Sequence, residues 1–379
     1  MLAHTFLANE VDAPATWIAL LGRRDQPTDG VADYCEFLAM ALQRRNVELR
    51  TVQVPWVERG WPEALRWLAQ ESAQWRAERV LLQYTALGWS RRGFPFGALR
   101  VMNLMRKRGL RCTVVFHDVG SASGTRMRDA LRRRAQSWTL RRLAQQSERS
   151  VFTTPLAKST WLPAAQPQTA AFIPIGANIR ECRARRIFDP SRLPKTVAVF
   201  SVTEGEAGQR EAEDIALAVR HAEQRVGPIR LEVFGRGASE AGPRLEELLR
   251  GSRVELHVRG VIPADEITRT LASADASLCV RGVTTSNRGT SIAGIACGVP
   301  LVGYGQPGAD PAIDAAGMHM APWHDSNALS RALAEVLTDA ALWQRLHERN
   351  LQAQERYFSW DAVADNYLKL HATDEGVPA

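Results

Sequence analysis

One rhythm constrains this chain more than any other feature: short apolar runs alternate with helical stretches, and the alternation happens twice. Trp17–Leu21 is a short apolar run ending at Gly22, the length of a buried strand. Ala32–Arg45 follows as a helix, with Ala32, Phe37, Met40, Ala41 and Leu42 on a rough stripe. Val47–Val54 alternates as a second strand. Val80–Tyr84 and Cys112–Phe116 are further strands, with helix Leu99–Arg108 between them, and Val151–Thr153 and Ala171–Pro174 close the series. The stretch Arg180–Lys195 breaks the rhythm with two prolines and five arginines, the composition of a linker. Strands Thr196–Val202, Ile229–Phe234, Val254–Val258, Ala276–Val280 and Pro300–Gly303 then alternate with helices at Glu211–Arg225, Leu245–Leu249 and Ile267–Ala272. Helices at Ala328–Leu337 and Ala341–Arg356 follow. Apolar strands separated by helices need cover on both faces, so they imply parallel sheets.

The sequence therefore predicts an α/β protein of two doubly wound, Rossmann-like parallel-sheet domains facing a cleft. The expected boundaries are 1–180 for the first domain, 181–195 for the linker and 196–357 for the second. A terminal helical segment, 358–379, returns to the first domain. Ligands in such sheets sit beyond the carboxyl ends of the strands. At 379 residues the chain is long enough for two sizeable cores.

Composition excludes several classes. No apolar run is long enough to span a bilayer. The first fourteen residues carry Glu10 and Asp12 and no basic region, unlike a secretory signal. The five cysteines are scattered with no C-x-x-C pair, which argues against a disulfide framework and a zinc site and for a reducing cytoplasm. The net charge of +7 is uneven: Arg91–Arg142 holds fourteen basic residues against Asp118 and Asp129. Such a block suits an anionic partner or a solvated arginine face. No nucleic-acid recognition motif accompanies it.

The most informative segment is Arg281-Gly-Val-Thr-Thr-Ser-Asn-Arg-Gly-Thr-Ser291. It follows a strand and precedes the helical run Ile292–Cys297. A Gly/Ser/Thr loop at a helix start offers amides, hydroxyls and the positive end of the helix dipole to a phosphate. Arg281 and Arg288 add charge of the right sign. The alternative is a plain capped helix start, with Thr290 or Ser291 as N-cap.

Continued through Ile292-Ala-Gly-Ile-Ala-Cys-Gly-Val-Pro-Leu-Val302, this segment resembles the donor-binding signature of glycosyltransferase family 4. Other segments match in order. Thr28-Asp-Gly-Val-Ala32 resembles the N-terminal glycine loop, Val115-Phe-His-Asp118 the strand-end histidine, and Ile173-Pro-Ile-Gly-Ala-Asn178 the end of the first domain. Leu231–Gly235 and Val258-Arg-Gly-Val261 resemble the strand ends flanking the nucleobase. Gly317–Leu337 resembles a late strand and helix, and Phe358-Ser-Trp-Asp361 the turn before the last helix.

The resemblance implies a GT-B architecture and a retaining, hexosyltransferase-type enzyme of glycan, glycolipid or polysaccharide synthesis. Its donor would be UDP- or GDP-linked and its acceptor a glycan or lipid-linked hydroxyl. Donor contacts would fall on Gly30, Arg210, Arg281, Ser286, Asn287, Gly289, Thr290 and Ser291, with Gly235 and Val261 on the nucleobase side and His117 facing the reacting sugar. No D-x-D motif is present and the other histidines show no metal spacing, so neither a metal nor a further cofactor is expected.

The sequence also departs from the family, whose members carry two glutamates spaced E-x7-E here. Those positions are Thr285 and Ala293, and the glutamate of a related G-E-T-S variant falls on Gly289. No carboxylate lies between Arg281 and Leu301. Ser286, Asn287, Glu204 or Glu206 would have to make the ribose and sugar contacts. This departure keeps a second possibility open: a non-catalytic GT-B-like binding or scaffold protein.

Two segments bear on the acceptor. Arg126–Leu143 can gather Met127, Leu131, Ala135 and Trp138 on one helix face. Such a helix either lies on an anionic membrane, making the protein peripheral at its inner face, or covers the sheet with its basic face in solvent. Trp89-Ser-Arg-Arg-Gly-Phe-Pro-Phe96 either stacks on a sugar or plugs the domain's own core.

Overall fold

The computed structural model describes residues 15–24, 29–77, 79–120, 126–159, 161–162, 169–179, 182 and 186–372. The first fourteen residues, Thr28 of the glycine loop, positions 180–181 and 183–185 of the expected linker, and the end of the terminal segment lie outside them. The chain forms two compact units, Met1–Phe116 with Ser121–Ser150, and His117–Gly120 with Val151–Ala379.

The first half runs β1 (Ala15–Leu21), α1 (Gly30–Gln43), β2 (Val47–Gln53), α2 (Trp56–Glu71), β3 (Arg79–Tyr84), α3 (Phe96–Lys107), β4 (Arg111–Phe116), α4 (Met127–Gln146), β5 (Arg149–Phe152) and β6 (Ala170–Phe172). Its six strands form one sheet in the order β2-β1-β3-β4-β5-β6. Trp17 of β1 pairs in parallel with Leu49 on one side and Arg79 on the other. Ile18, Ala19 and Leu20 are all but inaccessible to solvent. Burying each of the two larger side chains contributes about 1.5–3 kcal/mol relative to exposure.

Two elements differ from expectation. Helix α2 has no counterpart in the sequence reading, because Gly60 (φ 73°) and Pro62 interrupt its pattern. Its two parts are held by stacking of Trp56 on Trp61, with ring centres 5.1 Å apart. In α4 the stripe Met127, Leu131 and Trp138 points outward, not onto the sheet. The buried face is Asp129, Gln136, Thr139, Leu140, Leu143 and Ala144. The aromatic loop divides its roles: Trp89 is core, with Nε1 donating to Gln83 O at 2.8 Å, whereas Phe96 is exposed.

The second half runs β7 (Lys195–Phe200), α5 (Glu206–Val226), β8 (Ile229–Phe234), α6 (Ala238–Leu249), β9 (Val254–Gly260), α7 (Ala264–Ser273), β10 (Ala276–Cys279), α8 (Gly289–Ala296), β11 (Leu301–Tyr304), α9 (Pro311–Ala316), β12 (His319–Ala321), α10 (Ser326–Thr338), α11 (Ala340–Ala353) and α12 (Trp360–Ala372). Its strands form a second six-stranded sheet, β12-β11-β10-β7-β8-β9. One core packs β7, β8, α5, α6 and α10 together; another packs α8 and α9 with parts of α7 and β11.

Each sheet has one place where the strand order reverses, beside its first strand: between β1 and β3, and between β7 and β10. The carboxyl ends diverge there, because successive crossovers leave in opposite directions. In the first sheet the loop after β3 folds over the end of β1. Arg23 N donates to Gly88 O at 2.6 Å, and Trp56 Nε1 donates to the same oxygen at 3.1 Å. A Cβ on Gly22 would lie 2.1 Å from that oxygen, so only glycine admits this approach.

Candidate functional site

At the reversal point of the second sheet a pocket remains. It is lined by Phe200 and Ser201 at the end of β7, Ser277–Val280 along β10, and Arg281, Thr284, Arg288, Thr290 and Ser291. Its enclosed cavity is about 10 Å³, the room of a single water.

The loop after β10 is built by specific bonds. Gly282, at φ 61°, turns the chain away from the strand, and Gly282 N donates to Val280 O at 2.9 Å. Thr284 N then donates to Tyr304 O at 2.9 Å, holding the loop against β11. Ser286 N donates to Asp310 Oδ2 at 2.8 Å, and the Thr285 hydroxyl donates to Asn287 Oδ1 at 2.6 Å. Arg288 is the N-cap of α8, in extended conformation, and no side chain caps the helix. Thr290 and Ser291 lie inside the first turn, so the capped start with either of them as N-cap does not occur. The Gly289 and Thr290 amides belong to the first turn, where N–H groups lack intrahelical acceptors. Gly289 is exposed, and a Cβ there would meet nothing within 4 Å.

Small residues explain how α8 comes so close. A Cβ on Gly294 would lie 2.7 Å from Leu301 Cδ2, so the helix rests directly on β11. Its end is a Schellman turn: Val299 N donates to Gly294 O at 3.0 Å, with Gly298 at φ 66°. Ala293 is 1% exposed and sits in the apolar core. A carboxylate at that family position would be buried in this chain.

The charge of the pocket is one-sided. Neither Arg281 nor Arg288 forms an ion pair among the described residues, and Arg281 Nε is buried with no hydrogen-bond partner among them. Arg288 Nε donates to Val283 O at 3.2 Å. Burial lowers the Arg288 pKa, and the neighbouring Arg281 lowers it further. Glu211 is close enough to oppose this, but its two oxygens are engaged by Thr203 N (2.6 Å) and the Thr203 hydroxyl (2.7 Å). Lys158, on a 3₁₀ turn (Leu156–Lys158), is a cation the sequence reading missed. Burial lowers its pKa; Asp310 raises it and Arg288 lowers it, so it lies within electrostatic reach of both.

The expected residues fall into three groups. Arg281, Thr290 and Ser291 line the pocket together with Arg288. Gly289 heads the same helix, and Ser286 and Asn287 belong to the same loop; Ser286 is fully buried, its hydroxyl unpartnered among the described residues. Gly235 and Val261 follow β8 and β9. Gly235 has φ 89° and presses on the pocket wall: a Cβ there would lie 2.6 Å from Ser201 Oγ and 2.9 Å from the Phe200 ring. Val261 is exposed.

Three expected residues do not line this pocket. Arg210 is exposed on α5 and is not among the lining residues. Gly30 opens α1, but the Asp29 side chain there accepts from Val31 N at 3.0 Å and Ala32 N at 3.3 Å, so a carboxylate already occupies that helix start. His117 follows β4, and burial lowers its pKa to about 4, which keeps the imidazole neutral near pH 7. Asp118 next to it accepts from Gly120 N at 3.1 Å. Among the described residues no cluster of His, Cys, Asp and Glu could hold a metal ion, and no helix is long and apolar enough to cross a membrane.

No protein-family model matches the chain, and no curated protein sequence matches it at a significant level. Solved structures do. HepE from Anabaena, in complex with UDP and glucose, superposes with a TM-score of 0.62 at 12% identity, over 95% of this chain and 100% of HepE. A glycosyltransferase from Rickettsia africae gives 0.66 at 11% identity, over 96% and 100%. A Listeria monocytogenes protein assigned as a UDP-N-acetylglucosamine 2-epimerase gives 0.62 at 12%, over 97% and 98%. At such identity the likeness is one of fold: this chain has the GT-B architecture, shared by glycosyltransferases and by proteins of the epimerase kind.

Proposed function

We propose that the chain is a nucleotide-sugar-dependent glycosyltransferase of the family 4 type, transferring a sugar to an acceptor hydroxyl with retention of configuration. The observation that carries this reading is the pocket at the β7/β10 reversal point: it is lined by two arginines that form no ion pair among the described residues, beside a helix start that no side chain caps. Oriented cations and amides of this kind stabilise the charge that develops on a departing diphosphate. In the reaction the C1–O bond to the diphosphate breaks and a C1–O bond to the acceptor oxygen forms. The acceptor proton leaves with the diphosphate oxygen. Arg281, Arg288 and the Gly289 and Thr290 amides would hold the diphosphate, with the Ser291 amide already donated to Arg288 O. Gly235 and Val261 would flank the base, and Ser286 and Asn287 would hold the loop in place. Neutral His117 would hydrogen-bond to the sugar. UDP is the favoured donor nucleotide, since HepE, of the same fold, is seen with UDP.

A non-catalytic nucleotide-binding protein is the second reading. Its support is that no carboxylate lies between Arg281 and Leu301 and that Ala293 is buried. Thermal unfolding against UDP, GDP, ADP and their sugars tests both. A bound nucleotide at a hundredfold excess over Kd stabilises by about 2.7 kcal/mol. Stabilisation with sugar release or transfer supports the enzyme; stabilisation without either supports the second reading. No shift with any nucleotide removes both.

A further inference from the structure

Strands β2 and β6 end the first sheet, and β9 and β12 the second. A sheet edge carries unpaired backbone groups, and natural edges are protected by brevity, bulges, proline or lysine. Strands β6 and β12 are three residues long, and the β8–β9 ladder is interrupted by a register shift between Val233 and Phe234. Strand β2 has none of these devices. Its seven residues, Val-Glu-Leu-Arg-Thr-Val-Gln, include no proline and no lysine and pair with β1 in unbroken register.

The bonded side of β2 defines its free side. Val54 N donates to Leu21 O at 2.9 Å, and bonded residues alternate in a parallel ladder, so Val52, Arg50 and Glu48 also turn their backbone groups to β1. Val47, Leu49 and Thr51 therefore aim N–H and C=O away from the sheet, and no described residue takes them up. Beside them, between β2 and α1, runs a groove of about 840 Å³ where Met40 is 44% exposed. Glu48 and Arg50 stand exposed together on one face of the strand, neither of them in an ion pair among the described residues.

These two charges select the occupant of the edge. A second β2, entering antiparallel about a two-fold axis at Leu49, puts Val47 opposite Thr51 and Glu48 opposite Arg50, each pair twice by symmetry. The outward-facing residues then bond to one another: Leu49 to its own copy, and Val47 to Thr51. Glu48 and Arg50 fall at the non-hydrogen-bonded positions, where facing side chains come closest. Moving the axis one residue either way sets Glu48 against Glu48 or Arg50 against Arg50. The strand is thus complementary to itself, in charge and in hydrogen bonding, in one register. We propose that β2 is a self-association edge, through which two copies of this chain form a symmetric dimer with one continuous sheet. This stands independently of the nucleotide pocket.

Analytical ultracentrifugation of the full chain tests it. The wild type is expected to be a dimer at about 0.1 mM that dissociates on dilution. Glu48→Arg alone and Arg50→Glu alone each set like charges opposite one another and should weaken the dimer by roughly tenfold or more. Both substitutions together exchange the charges and should restore the dimer to within about threefold of the wild type. Thr51→Pro removes an outward N–H without touching the ladder to β1, and should also give monomers. Unchanged circular dichroism certifies the fold; if Thr51→Pro fails that check, the charge variants, which remove no backbone bond, decide. A wild-type monomer at this concentration overturns the proposal and leaves the edge to a strand of another protein. A dimer that the folded single variants leave intact overturns it too, as does a double variant that stays monomeric.

Discussion

Arg281 and Arg288 stand together on one wall of the pocket at the end of β10, close enough for the charge of one to lower the pKa of the other. Two like charges held in a partly desolvated place oppose folding and favour an anion arriving from outside. A protein that needed these arginines only for structure would have given them a carboxylate.

The first prediction follows from that pair. Arg281→Ala should leave the stability of the ligand-free protein within about 0.5 kcal/mol, as for a side chain with no ion pair among the described residues. Its loss should weaken nucleoside diphosphate binding by about 1.5–3 kcal/mol, roughly 10- to 100-fold. Calorimetric titration with UDP reads the second effect and thermal unfolding the first. Unchanged affinity would remove the phosphate from this loop.

Asp310 concerns stability. It is 3% exposed and accepts from Ser286 N, Ala312 N and Ile313 N, so it caps α9 and pins the loop at once. Asp310→Ala should cost about 2 kcal/mol or more, read by urea unfolding, because it removes a cap and strands a buried amide.

Two glycines should behave in opposite ways. Gly235→Ala faces both φ 89° and contacts under 3 Å to Ser201 and Phe200, and should destabilise by about 2–4 kcal/mol. Gly289→Ala meets open space in an ordinary helix start and should leave stability unchanged or slightly raised. The added methyl should nonetheless lower nucleotide affinity, since it stands where the phosphate approaches. Comparing unfolding midpoints with UDP titrations separates the two.

His117 sets a pH dependence. Its pKa falls from 6.5 to about 4 in the folded chain, so between these values the unfolded chain takes up a proton that the folded one refuses. Stability is therefore unaffected by this group above about pH 6.5. It declines by up to about 1.4 kcal/mol per pH unit as pH falls toward 4, and levels off below. Subtracting the stability profile of His117→Asn from that of the wild type should isolate this slope. Parallel profiles would contradict it.

Much of this was legible in the sequence. Ile229–Phe234 matches β8 residue for residue, because Ile229, Leu231 and Val233 alternate with Arg230 and Glu232 in the period-two pattern of a strand. The Arg281–Ser291 loop was visible as a Gly/Ser/Thr stretch between strand and helix. What was not legible depends on contacts distant in the chain. Lys158 reaches the pocket's electrostatics from a turn more than a hundred residues away, with only its rarity as a signal: it is one of four lysines among 48 basic residues. Asp310 meets Ser286 across helix α8 and strand β11. Helix α4 shows an apolar stripe in either reading, and spacing gives its direction no sign. Only the polar partners on the Arg92–Gly93 loop turn that stripe outward.

The Gly88 carbonyl lying over the end of β1 has a consequence for stoichiometry. A chain wound twice in the same sense is a mould with two sockets, one at each reversal of strand order. At the first, the Gly88 carbonyl lies against Gly22 and accepts from the Trp56 indole, so the chain itself crowds the end of β1. A nucleotide seated at the second reversal should therefore bind one per chain.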